Sequence, residues 1–299
     1  MKPLTTKAFE LWLQEQSQLI THYRQIEKCD MLVEYNHLKE LVNSEEFQTT
    51  KANIRKKVFG KLRWLSTPEH KQEKKLKALT KNADILLFEN HTEEQIAELE
   101  SYKMFWAEEF ETNKISDIWQ TGFLYPSKEL KSNHSHVSEQ QAYTAGKNTK
   151  VAKRTLSILT KKEKTTSTAW HPTKGMVSHK FSYTSDIWHT SQAVAPKEGI
   201  LQTKVRCTGK AKHIFCMTNT KAQKVLAVLP TNKVVKDAIY TIVWNEQEVI
   251  NYVNNVEVAR SKNPLAGESL HLLVRSYLPQ NKKGGTGQLN IDWIRIYTK

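Results

Sequence analysis

The feature that most constrains this chain is a change of hydrophobic period near Trp106. Up to about Phe105 the apolar residues recur at helical spacing: Phe9, Trp12, Leu13, Leu19, Ile20, Tyr23 and Ile26, then Leu32, Tyr35, Leu38, Leu41 and Val42. Beyond it, short runs alternate apolar with polar residues between Gly, Asn, Pro and Ser. Examples are residues 155–160, 201–206, 240–244 and 249–253. A period near 3.6 buries one stripe of a helix, whereas a period of two buries one face of a strand. The spacing therefore predicts an α-helical region over 1–105 and an antiparallel β-sandwich or jelly roll over 106–299, an α+β multidomain chain.

Punctuation supports the division. Ser44 is placed to cap a helix carrying Phe47, Ile54 and Val58, with Gly60 as its stop. Ser66-Thr67-Pro68-Glu69 combines capping-box spacing with an early proline, and Thr92 with Gln95 forms a second capping-box candidate. Asn254-Asn255 suits a two-residue hairpin turn, because Asn tolerates positive φ. Gly284-Gly285-Thr286-Gly287 reads as a turn before the last strand, in which Leu289, Ile291 and Trp293 alternate with polar residues.

Several function classes fall away. No apolar run reaches membrane-spanning length, and Glu10 and Glu15 interrupt any signal-peptide pattern at the N-terminus. Three cysteines, Cys29, Cys207 and Cys216, do not make a disulfide framework; a Cys207–Cys216 pair across neighbouring strands is the alternative to buried free thiols, the reading favoured here, which implies a reducing, cytoplasmic compartment. The net charge of +14 is uneven: 1–105 carries 17 Lys+Arg against 16 Asp+Glu, and 106–299 carries 28 against 15. That excess reads as a solvated lysine-rich surface rather than a nucleic-acid site. No cofactor is expected, since there is no glycine-rich phosphate loop. His134, His136, His171, His179 and His189 lack the spacing of a metal site and read as loop histidines.

The closing Ile291-Asp292-Trp293-Ile294-Arg295-Ile296-Tyr297 resembles the last strand of glycoside hydrolase family 16, the laminarinase-like, concanavalin A-like lectin/glucanase jelly rolls. Further pieces in the same order are similar to that family's strands. They are Trp106 to Phe110 with Trp119 to Phe123 (an opening strand pair), Glu139 to Tyr143, 148–158, 199–206 and the hairpin from Tyr240 to Val258. The resemblance implies a sugar groove on a concave sheet and catalysis by a Glu-x-Asp-x-x-Glu strand, where a bulge lets unevenly spaced acids share one face. Here the corresponding positions are Lys224, Leu226 and Leu229, and no Asp or Glu occurs anywhere between Gly199 and Lys236.

The resemblance without its acids implies a catalytically degenerate protein that binds carbohydrate or scaffolds, with no catalytic or metal residue. Trp170, Tyr183, Trp188 and His189 are the candidate sugar-contacting residues, because flat aromatics stack on the C–H faces of pyranoses and these lie in turn-rich stretches, unlike the core candidates Trp244 and Trp293. Lys174, Lys180 and Lys197 nearby would favour an anionic glycan. Two alternatives stay open. One is an active hydrolase with relocated carboxylates among Glu108, Glu109, Glu139, Glu248 and Asp292. The other is an intracellular interaction module that has lost sugar binding and meets a protein partner through its helices.

Overall fold

The computed structural model describes residues 7–16, 18–112, 114–124, 133–219, 238–254 and 256–299. The side chains of Phe9 and Trp12, Asn255 and the whole of 224–229, with Lys224, Leu226 and Leu229, lie outside the described residues. The chain divides into two compact units, Met1–Tyr102 and Lys103–Lys299.

The first unit is helical: α1 (Lys7–Gln16), α2 (Leu19–Glu27), α3 (Asp30–Asn43), α4 (Glu45–Lys56), α5 (Gly60–Leu65), α6 (Pro68–Leu79), α7 (Ala83–Asn90) and α8 (Glu93–Glu100). Leu19, Tyr23 and Ile26 of α2 meet Leu32 and Tyr35 of α3, Ile85 and Leu87 of α7 and Ile96 and Leu99 of α8 in one buried cluster. A second cluster joins Val42, Phe47 and Trp64. Ser44 caps α4, its Oγ accepting from the Phe47 N–H at 3.2 Å. Thr92 and Gln95 form the reciprocal capping box of α8. Two expectations are corrected. The cap of α6 is Thr67, not Ser66, and Pro68 fills the first helical position, where its missing N–H costs nothing. Gly60 does not stop α4; that helix ends at Lys56, Phe59 turns the chain in the left-handed region at φ 58°, and Gly60 opens α5.

The second unit contains β1 (Lys103–Glu108), β2 (Trp119–Thr121), β3 (Ser135–His136), β4 (Gln141–Tyr143), β5 (Thr149–Ala152), β6 (Thr155–His171), β7 (Gly175–Ser185), β8 (Ile187–Thr190), β9 (Gly199–Gly209), β10 (Lys212–Thr218), β11 (Ala238–Trp244), β12 (Glu248–Val253), β13 (Val256–Lys262), β14 (His271–Tyr277) and β15 (Gly287–Thr298). They form an 11-stranded sheet, in the order β13-β12-β11-β9-β15-β6-β7-β4 with β1, β3 and β5 attached, and a 4-stranded sheet, β10-β14-β8-β2. Pairing is antiparallel except for β3 on β6 and β4 on β7. The helical spacing carried to Phe105 is overridden at Lys103, where β1 begins to pair with β15. The 106–110 and 119–123 segments are not partners: β1 lies on β15 and β2 on β8.

The closing strand carries the core of the sandwich, with a change of phase. Leu289 and Ile291 are fully buried, the register shifts between Ile291 and Trp293, and Ile294 and Ile296 are fully buried after it. An extra residue in one strand swaps which parity faces inward. Trp293 is therefore no core residue, unlike Trp244; it is half-buried under Arg295, whose guanidinium lies 4.8 Å from a ring centroid. Each of the four inward aliphatic side chains contributes about 1.5–3 kcal/mol of burial. No helix among the described residues is long and apolar enough to cross a membrane.

Candidate functional site

The register of the 4-stranded sheet decides which side chains share a face. Phe215, Val274 and Trp188 stand opposite one another and point towards the 11-stranded sheet, together with Met217 and Leu272. Ile214, Arg275 and Ile187, then Cys216, Leu273 and His189, point the other way. Trp188 and His189, adjacent in sequence, therefore serve opposite faces.

The Trp188 side opens into a groove of ≈ 700 Å³ at the margin of the sandwich, lined by Lys114, Ile115, Gly146, Thr149, Lys150, Val151, Ala152 and Trp188. Its lining mixes apolar Ile115, Val151, Ala152 and Trp188 with Thr149 and two exposed lysines. The wall is fixed by a carboxylate. Asp186, fully buried, accepts on Oδ1 from Thr144 N–H (3.2 Å), Thr144 Oγ1 (2.8 Å) and Gly146 N–H (3.0 Å). On Oδ2 it accepts from Asn148 N–H and Thr149 Oγ1, each at 2.8 Å. Five donors on one carboxylate offset its desolvation without a cation. Thr149 Oγ1 in turn accepts from Trp188 Nε1 at 2.8 Å, so the buried charge orients the indole through one hydroxyl. Gly146, at φ 94°, lies where a Cβ would stand 3.1 Å from Trp188 Cζ2, and only glycine gives both the turn and the close approach.

Beside the opposite face lies a smaller, polar cavity of ≈ 160 Å³, lined by Glu139, Gln140, His179, Lys180, Phe181, Ser182 and Gln280. Tyr143 from β4 packs on Ile187, Cys216 and Leu273, with Phe123 at the edge. Above them lies a buried polar cluster. Arg275 Nη1 donates to Glu139 Oε1 at 2.8 Å and to Tyr143 Oη at 3.0 Å, while Gln141 Nε2 (2.6 Å) and Tyr143 Oη (3.2 Å) donate to Glu139 Oε2. The Arg275 guanidinium lies 4.5 Å from the Tyr277 ring and 5.5 Å from that of Phe123. Burial pushes the Tyr143 hydroxyl pKa far above its ordinary value. His134, 2% exposed, and His136 stack on Phe123, so they are packed side chains rather than loop histidines. Burial holds His136 below the usual imidazole range.

The four aromatic and histidine candidates do not converge. Trp188 alone lines the groove. His189 is 5% exposed, its Nδ1–H bonded to the Gly122 carbonyl at 2.8 Å, and burial lowers its pKa. Trp170 is exposed near the end of the long β6–β7 hairpin, opposite Met176. Tyr183 is half-buried beneath Gly284, where a side chain would strike its ring at 2.7 Å. The five candidate carboxylates are each held by separate partners. Glu108 accepts from Ser116 and Trp119, Glu109 from Arg295, Glu139 from Arg275, Glu248 from Arg260, and Asp292 from Thr155 and Arg206. Among the described residues no three His, Cys, Asp or Glu side chains gather as metal ligands. Sequence reasoning missed Asp186, Thr149, Lys114 and Lys150; the run Thr144 to Thr149, rich in turn formers and hydroxyls ahead of a lone Asp, was the available signal.

No family model matches the sequence, and no curated protein matches it. Solved structures do. The laminarinase catalytic domain from Thermotoga maritima MSB8 is 16% identical with a TM-score of 0.50, over 66% of this chain and 98% of that one. The endo-β-1,3-glucanase from Pyrococcus furiosus is 13% identical with a TM-score of 0.49, over 66% and 94%. The κ-carrageenase from Pseudoalteromonas carrageenovora is 13% identical with a TM-score of 0.49, over 66% and 95%. At such identity the likeness concerns the fold alone, and the first of these carries it. The β unit of this chain has the jelly-roll fold of the laminarinase-like glycoside hydrolases of family 16.

Proposed function

We propose that the β unit is a carbohydrate-binding module that does not hydrolyse its ligand, and that Trp188 is the platform of its site. The observation that carries this reading is the open groove in which an indole, held through Thr149 by buried Asp186, lies among apolar residues with Lys114 and Lys150 exposed on the lining. A concave, mostly apolar site with a few placed polar groups suits a sugar ring, and the two lysines favour a sulfated or uronate-bearing glycan over a neutral one. The absence of Asp and Glu over 199–236 supports binding without turnover. The three free cysteines support a reducing compartment.

Affinity electrophoresis in gels containing a sulfated galactan, alginate or laminarin tests the reading. Retardation by the anionic polymers, weakened by salt and lost in Trp188→Ala but retained in Trp170→Ala, is the expected result. Release of reducing ends from any of these polymers, or unchanged retardation of Trp188→Ala, overturns it.

A further inference from the structure

The helical unit carries a surface that its own packing leaves open. Val58, Phe59, Leu62 and Leu65 are 74%, 73%, 66% and 56% exposed. They flank one short element. Gly60 and Trp64 of α5 face inward, Trp64 edge-on to Phe47 with its centroid at 5.8 Å and its Nε1 donating to Glu73 at 3.3 Å. Leu62 and Leu65, three apart, share the outward side, and exposed Phe59 immediately precedes α5 in the left-handed region.

Charge surrounds these apolar groups. Arg55, Lys56, Lys57, Lys61 and Arg63 are all exposed, and none forms an ion pair among the described residues. Arg24, Lys39, Lys51, Lys75 and Lys77 of the same unit each pair with a glutamate, while Lys28, Lys71, Lys74 and Lys81 form no ion pair among the described residues. No Asp or Glu occurs between Glu46 and Glu69. Set apart from these five cations, the remainder of 1–105 holds twelve Lys and Arg against sixteen acids. The positive charge of the helical unit is thus concentrated around its exposed apolar groups, on a body that is otherwise acidic.

We propose that this α4–α5 corner docks the protein peripherally onto an anionic lipid surface. Apolar side chains ringed by lysine and arginine match the membrane interface, where the former enter the headgroup boundary and the latter meet lipid phosphates and carboxylates. Within the helical unit the same charge separation favours this corner, since an anionic surface attracts it and repels that unit's acidic remainder. Lipid is favoured over an acidic protein because the apolar side chains are largely solvent-exposed around one turn. A bilayer receives them without a matching pocket.

The test is co-sedimentation of the full chain with vesicles of phosphatidylcholine, with and without phosphatidylserine. Binding is expected only with phosphatidylserine and to weaken with salt. Lys56→Gln/Lys57→Gln/Lys61→Gln should lower the partition coefficient roughly a hundredfold, at about fivefold per charge. Phe59→Ser/Leu62→Ser, which keeps every charge, should also abolish it, and both variants should keep the wild-type near-UV circular dichroism. Phe59→Trp should gain a blue-shifted, bromolipid-quenchable emission on the vesicles. Equal binding to neutral vesicles, unaltered binding of the serine variant, or concentration-dependent self-association abolished by that variant would each overturn the proposal. Full displacement by a soluble acidic polypeptide would do so too, by reassigning the corner to a protein. Trp188→Ala should bind vesicles normally, so this result and the glycan result fail separately.

Discussion

Asp186→Asn is the substitution that most directly tests how the groove is built. The amide can keep its oxygen at the Oδ1 position, where it still accepts from both Thr144 donors and from Gly146. Its NH2 then faces the Asn148 N–H and the Thr149 hydroxyl, formerly bonded to Oδ2 at 2.8 Å each. The backbone N–H cannot reverse. The hydroxyl can turn, and its second lone pair can accept from the amide while it still accepts from Trp188 Nε1. The charge-assisted bond from Asn148, at about 1.5–3 kcal/mol, is lost with its N–H left facing a donor, and the other four become neutral ones. Relief from burying a charge returns part of this, leaving a net cost of about 3–5 kcal/mol.

Urea unfolding of the variant, followed by circular dichroism, reads that cost, and the near-UV spectrum reads whether Trp188 keeps its fixed surroundings. Thr149→Val removes the hydroxyl that links the carboxylate to the indole, so the two substitutions should be strongly non-additive in a double-mutant cycle. A loss below about 1 kcal/mol for Asp186→Asn, or additivity within about 0.5 kcal/mol, would show that the carboxylate does not organise the groove. The buried charge would then not be what positions Trp188.

Other parts of the molecule make further predictions. Arg275→Met strands Glu139 in a buried cluster and should cost about 3–5 kcal/mol, whereas Arg260→Met at the exposed Glu248 and Glu257 pairs should leave the unfolding midpoint where it was. His213, 1% exposed and 2.8 Å from Ser276 Oγ, has its pKa pushed down to about 4 by burial. The unfolded chain therefore binds a proton that the fold excludes. Stability should fall by about 3 kcal/mol as pH drops from roughly 6.5 to 4, and His213→Gln should flatten that slope in thermal melts. Burial pushes the Cys216 thiol up to about 12 and that of Cys207 up to about 11, so iodoacetamide should spare both in the native protein and label all three cysteines in urea, as mass spectrometry would show.

The fold was legible where local chemistry decides it. Ser44, Thr92 and the alternating runs around Tyr240 and Val249 each act within a few residues, and a period of two predicts a sheet face directly. It was not legible where a distant segment decides. Asp292 looks like any polar strand residue, yet the register shift beside it reverses the parity of Trp293 and Ile294. His134 and His136 read as loop because their neighbours are Asn and Ser; a parallel pairing of β3 with Ala169 and Trp170 packs them. Asp186 receives its donors from residues 37 to 42 positions upstream, which no window could connect. Trp188 stands out in sequence as an aromatic in a turn-rich stretch, and strand alternation places the adjacent His189 on the other face.

A jelly roll of this kind does chemistry only if two carboxyl groups flank a glycosidic bond at roughly 5–5.5 Å or more, each presenting an oxygen to the sugar. On the outward face of the 4-stranded sheet the acid beside Arg275 is Glu139, and both its oxygens are engaged: Oε1 by Arg275, Oε2 by Gln141 and Tyr143. To act on a substrate it would have to leave a buried guanidinium, at the several kcal/mol that breaking such a pair costs. Its geometry is that of a brace holding β4 against β14. Glu139→Gln should accordingly lower the unfolding midpoint while leaving retardation by anionic glycans intact. Loss of that retardation in a variant whose fold is preserved would instead move the binding site from the Trp188 groove to this face.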